Sequence, residues 1–358
     1  MSTYTSGNAA GWLRRVVAWS QARPIVFLAL SAIALFATLG FANSPAQNDA
    51  PSADTEETTQ SAILHFWAVY HGNDYHSIPQ VQAELQAAIR RDPQNPTLLA
   101  LLGATHFWHF AEYTRDPAPN SGVLAQDMPA AVNLFGKALQ LDYYTKHTIG
   151  YINDDHLPGY LGITTVHLGQ AIGSQDVIAK GDQLLDFAAY QFPEFNNFNR
   201  WAAHNSDSRD SDSYKKALDS LWQALDSCAG ATVDRAHPDL GPYLSLQTAV
   251  GRKKACWSEG DLAPHSFEGF MLNLGSGLVK AGQVEAAKVM FANARYADNY
   301  ASWPYRDYLE QLAGSDLYAR AALYADNNAG KDPPLGVPNR GCSYCHATAP
   351  EPSNSGGK

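Results

Sequence analysis

The residues with the clearest chemical meaning are Cys342-Ser343-Tyr344-Cys345-His346. Two thiols three positions apart can reach the two vinyl groups along one edge of a porphyrin and close two thioethers. The adjacent histidine is then delivered beneath the iron as its proximal ligand, and imidazole suits iron well. Three other chemistries use closely spaced cysteines. A zinc knuckle needs a second Cys/His pair, and Cys228 and Cys256 are too far apart to form one. A dithiol redox pair needs a strand–helix setting, whereas Pro333, Pro334 and Pro338 lead into this motif. A structural disulfide between Cys342 and Cys345 would be short and strained. Covalent attachment of one haem is the expectation.

The motif resembles that of c-type cytochromes, and the resemblance implies thioethers at Cys342 and Cys345, His346 as iron ligand, and haem c as cofactor. It covers only the C-terminal end. Small one-haem members carry a methionine ligand well after the motif, but no methionine follows Phe291 here. Members built as four-helix bundles carry the motif on their last helix, whereas the Pro/Gly-rich run Lys331–Gly341 precedes it here. The sixth iron ligand must therefore come from elsewhere in the chain, from a partner, or be absent. Candidates for a distal ligand are His106 and His109, three apart on one helix face, and His237 and His265 in an irregular segment. His65, His71 and His76 form a looser group, and packing of helices explains these histidines equally well. Arg340 could pair a propionate and Tyr344 could pack beside the ring. Trp303, Tyr305 and Tyr308 are expected on the last helix, as core or as a shield for one haem edge. Asp207–Asp212 reads as solvated loop charge or, less readily, a calcium loop, and Glu112, Glu194 and Glu268 have no discernible context.

The elements that must position this motif are helical. Leu274-Gly275, Gly282, Ala287, Phe291 and Ala294 are similar to the tetratricopeptide repeat, in which small residues let two helices approach and large ones fill the contact. Leu99, Leu102 and Gly103 with Ala131, Phe135 and Ala138 repeat the pattern, as do Leu161-Gly162 with Leu185 and Ala188, and Ala217, Leu221 and Ala224. The resemblance implies an all-α, tetratricopeptide-like solenoid with an extended C-terminal haem-binding tail. The expected organisation is an export signal or membrane anchor at 1–46, a linker at 47–60 and helical repeats at 61–228. An irregular insertion at 229–264, a further repeat with a last helix at 265–328 and the tail at 329–358 complete it. Insertions interrupt several units, and an irregular helical domain remains the alternative.

Arg14, Arg15 and Arg23 before the apolar run Pro24–Ala42 read as an export signal, or as an anchor through residues 24–42. The formal charge of −10 includes those three arginines, the only charges in residues 1–42, so the body carries −13 and disfavours nucleic acid. In an oxidising compartment Cys228 and Cys256 are expected to pair, with two buried free thiols as the alternative. These features lead to an exported, periplasmic electron carrier whose redox protein partner presents a basic surface. A haem enzyme or gas sensor with an open iron site, and a protein-binding assembly module with accessory haem, are the competing readings. No nucleophilic triad, paired carboxylates or zinc-protease motif is apparent.

Overall fold

A computed structural model describes residues 53–115, 122–145, 155–246, 254–257, 262–325, 341–350 and 352. The expected signal or anchor, including residues 24–42, and Arg340 lie outside these residues. Among the described residues the chain is all-helical, with no strand and no helix long and apolar enough to cross a membrane. The helices are α1 (Ala53–His71), α2 (Ile78–Arg91), α3 (Pro96–Ala111), α4 (Gly122–Thr145), α5 (Leu157–Ile172), α6 (Gln175–Gln191) and α7 (Pro193–His204). They continue as α8 (Asp212–Ala229), α9 (Lys254–Trp257), α10 (Ser266–Lys280), α11 (Val284–Asn293), α12 (Arg306–Ala313), α13 (Leu317–Leu323) and α14 (Ser343–His346).

Local sequence accounts for the helix ends. Asn95 accepts the Leu98 N–H ahead of Pro96, and Ser174 and Ser211 do the same for Val177 and Tyr214. Gly282 turns the chain between α10 and α11 with φ +80°, a conformation that suits glycine. Helix α1 begins at Ala53, inside the segment expected to be linker, and its first turn carries Asp54 and Glu56, which favour a helix N-terminus.

From α1 to α8 each helix packs on the next, and α10 on α11. Three contacts use a small residue against a large one. A methyl group on Gly103 would meet the Phe135 ring at 3.2 Å, on Gly162 Leu185 at 2.9 Å, and on Gly275 Phe291 at 2.4 Å. These are positions the periodicity singled out.

Two large apolar clusters result, with a smaller one of Ile163, Val166, Leu185 and Ala203 among α5, α6 and α7. One gathers α1–α4 around Phe66, Leu85, Leu99 and Phe135. The other gathers α8 and α10–α13 around Leu221, Leu274, Phe291 and Leu309. The 229–264 segment contributes a 3-10 turn at Gly241–Leu246 and the short α9, which Cys256 ties to Cys228 on α8 in a disulfide with Cα atoms 6.1 Å apart. Such a bridge contributes roughly 2–4 kcal/mol, mainly by restricting the unfolded chain.

The Asp207–Asp212 loop is held by protein groups. Buried His204 lies between Asp182 (Nε2 to Oδ1, 2.8 Å) and Asp207 (Nδ1 to Oδ2, 2.8 Å), and Ser213 also donates to Asp207. Burial opposes its charge, but the two carboxylates outweigh that and raise its pKa from 6.5 to about 9. Its stabilisation is fully present below pH 6.5 and disappears as pH rises through about 9. Chemical denaturation should therefore show His204→Asn costing on the order of 3 kcal/mol at pH 6 and little at pH 10. A penalty constant across that range would rule out this charged pairing.

Candidate functional site

The segment expected to extend from the body is seated in it. Residues 341–350 return to both apolar clusters: Cys342 packs at the edge of the first, while Tyr344 and Cys345 join the second. The proline-rich approach predicts only that the chain is not helical before the motif. Once past it, the turn Ser343–His346 has buried partners on both sides.

Toward the first cluster, the Glu112 carboxylate accepts the N–H groups of Cys342 (2.9 Å) and Ser343 (3.0 Å) and the Ser343 hydroxyl (2.9 Å). Glu112 is in turn held by Trp108 Nε1–H (3.0 Å) and Arg115 (2.6 Å). Arg115 also donates to the side chain and carbonyl of Asn73, whose φ of 56° is a left-handed conformation that asparagine tolerates. Toward the second cluster, the Tyr344 hydroxyl donates to Asn273 (2.8 Å) and Trp303 Nε1–H to the Tyr344 carbonyl (2.8 Å). The His265 N–H donates to the Cys345 carbonyl (3.0 Å). Beyond the motif, the Thr348 N–H meets the His71 carbonyl at the end of α1 (2.8 Å).

This seating sorts the motif into two sets. Ser343 and Tyr344, at 1% and 7% exposure, point into the body, while Cys342, Cys345 and His346 are partly buried. The seat is close-fitting. A methyl group on Gly269 of α10 would stand 2.2 Å from Cys345 Sγ. Tyr70 lies over His346, ring centroids 4.7 Å apart, and bonds to the Cys342 thiol.

The His346 imidazole has a defined tautomer. Its Nδ1 lies 2.6 Å from the Leu262 carbonyl oxygen, which only accepts, so Nδ1 carries the proton and Nε2 keeps its lone pair. A histidine bound to metal has this arrangement, with the far nitrogen anchored to a carbonyl. Burial, reinforced by nearby His71 and opposed by the Leu262 bond, lowers its pKa to about 4, so the ring is neutral. Burial pushes both motif thiols far above the ordinary range, with Glu112 adding to the effect at Cys342 and Glu268 at Cys345. Neither is a thiolate at neutral pH, which disfavours dithiol exchange at this seat. Two thiols on one turn, a neutral imidazole whose Nδ1 is committed to Leu262 and an aromatic neighbour at Tyr70 are the donor set that a covalently attached haem needs.

The candidate distal histidines occupy different places. His106 and His109 lie on one face of α3, as their spacing implies, but both Nδ1 atoms are committed to Asp127, at 2.6 and 2.8 Å. Burial alone would raise the Asp127 carboxyl, but these two bonds outweigh it and lower its pKa. His237 is exposed. His265 is buried against Glu268, 2.9 Å away, and touches the motif through its backbone. The structure brings His71 to the motif instead, its Nε2 3.1 Å from the same Leu262 oxygen. Only its place in a loose histidine group marked it in the sequence. Tyr344 is an anchor, with its hydroxyl on Asn273. Trp303 lies ahead of α12 rather than on a last helix, Tyr305 caps that helix and Tyr308 is within it.

Compared with known proteins, the chain matches no family model, no curated protein and no solved structure.

Proposed function

We propose that this chain is an exported one-haem cytochrome of the c type that passes electrons between protein partners outside the cytoplasm. Cys342 and Cys345 would form the thioethers and His346 Nε2 would bind the iron, and the haem, when bound, supplies a one-electron iron couple. The observation that carries this reading is the sorting of the motif. Its two spacer residues are buried as anchors, while Cys342, Cys345 and His346 are less deeply buried, with the neutral imidazole's Nδ1 committed to Leu262. A haem held by this seated motif would suit electron transfer to a docked partner.

The helical body is the scaffold. Its chain-order packing and recurrent glycine–large contacts support a tetratricopeptide-like array, whose exposed face would receive the partner. With a body charge of −13, that partner presents a basic surface, and association weakens as salt rises. The disulfide fits an oxidising compartment, and residues 1–46 serve as export signal or anchor.

A pyridine-haemochrome spectrum of the exported protein, combined with potentiometric titration, tests the proposal. One covalent haem per chain with reversible reduction is expected. A chain without a Soret band would overturn the cofactor assignment. A five-coordinate iron that binds CO tightly would replace electron transfer with a sensor or enzyme.

A further inference from the structure

Helix α3 ends at Ala111, and Glu112, the next residue, turns its carboxylate onto a turn 230 positions later in the chain. Glu112 and Arg115 side chains are both 0% exposed, so each charge has lost its water and depends on protein partners. Arg115 satisfies only part of the carboxylate. Oε1 is given to the motif, taking the Cys342 N–H, the Ser343 N–H and the Ser343 hydroxyl. Those two amides open the turn Ser343–His346 and have no partner within it. Whatever holds them sets the position of Cys342 and, through the turn, the direction of Cys345 and His346.

We infer that Glu112 is the positioning residue of the Cys342–His346 group. Its carboxylate seats the turn, so the thiols and the His346 ring are presented at a fixed place rather than on a free end. Loss of Glu112 would loosen the start of the turn and admit water there, while the Tyr344, Cys345 and Thr348 bonds remain. With haem bound, that water would favour ferric over ferrous iron and lower the midpoint potential. The spectroscopic part of this inference rests on the haem reading; the seating itself does not.

The test uses the full exported chain and three readouts: limited proteolysis of the C-terminal segment, haem c per chain and midpoint potential. Glu112→Ala should speed cleavage around residues 341–350 by about tenfold or more, as a buried charge-assisted anchor is removed, and should lower the potential. Ser343→Ala, which spares the Glu112–Arg115 pair, should act in the same direction and less strongly. Glu112→Gln, whose amide oxygen still accepts both N–H groups, should recover most of the protection and potential. A double variant, Glu112→Ala with Arg115→Ala, removes the stranded cation. If it restores wild-type protection and potential, Glu112 serves only Arg115 and the inference is overturned. Unchanged cleavage and potential in Glu112→Ala with native far-ultraviolet dichroism overturns it equally. Should the native chain carry no haem, proteolysis still decides the positioning role, and the electron-transfer reading fails alone.

Discussion

Serine in place of both Cys342 and Cys345 is expected to abolish covalent pigment while leaving the helical body intact. Both cysteines sit at the margins of the apolar clusters, and serine is nearly isosteric with cysteine, so the exchange costs little packing. The buried anchors of the turn, Ser343 and Tyr344, are untouched. Wild-type protein should therefore keep its colour through acid–acetone extraction, and the double variant should lose whatever it binds. His346→Ala should retain the thioethers but change the iron's spin state, because it removes the nitrogen whose orientation Leu262 sets. Full retention of pigment by the double serine variant would remove the covalent assignment.

Gly269→Ala sets two effects against each other. Alanine in a helix interior is favoured over glycine by about 1 kcal/mol. Here the added methyl would lie 2.2 Å from Cys345 Sγ and 3.2 Å from both Cys345 Cα and Cβ. Rotating the thiol away clears only the first contact, because the other two belong to the turn itself. Every residue of α10 is buried, so the helix has no room to retreat. The turn must back out, weakening the bonds of Tyr344 to Asn273, Trp303 to Tyr344 and His265 to Cys345. Overpacking of this kind costs roughly 1–3 kcal/mol, so it should exceed the helix gain. Thermal denaturation should show a lower midpoint, with faster proteolysis of the C-terminal segment. A variant more stable than wild type would mean that the turn does not lie against α10.

The helical contacts were readable because their cause is local. Gly103, Gly162 and Gly275 recur at a helix-pair spacing, and the partners Phe135, Leu185 and Phe291 fall where a second antiparallel helix must bring them. The pairing of Cys228 with Cys256 was also within reach, as the two cysteines outside the motif in a chain with an export-like N-terminus. Glu112 was not. Nothing in its neighbours distinguishes it from any acidic residue at a helix end, and its partners lie 230 positions away. The place of His71 beside the motif was unreadable for the same reason, since its relation to His346 passes through the Leu262 carbonyl, a backbone atom with no residue signature.

The expectation of an extended tail rests on Pro333, Pro334 and Pro338, which disfavour helical backbone in the residues that precede them. Proline specifies local backbone, however, and says nothing about whether the following residues find a seat. Residue type and spacing alone determined the all-helical class and led to the chemistry proposed for Cys342, Cys345 and His346, because both are written in short-range pattern. Where that chemistry sits, which atoms of the motif stay open and which nitrogen of His346 is free were decided by tertiary contacts. A buried carboxylate, a carbonyl and a glycine surface act there across long stretches of chain, and such contacts arise only when distant helices are packed together.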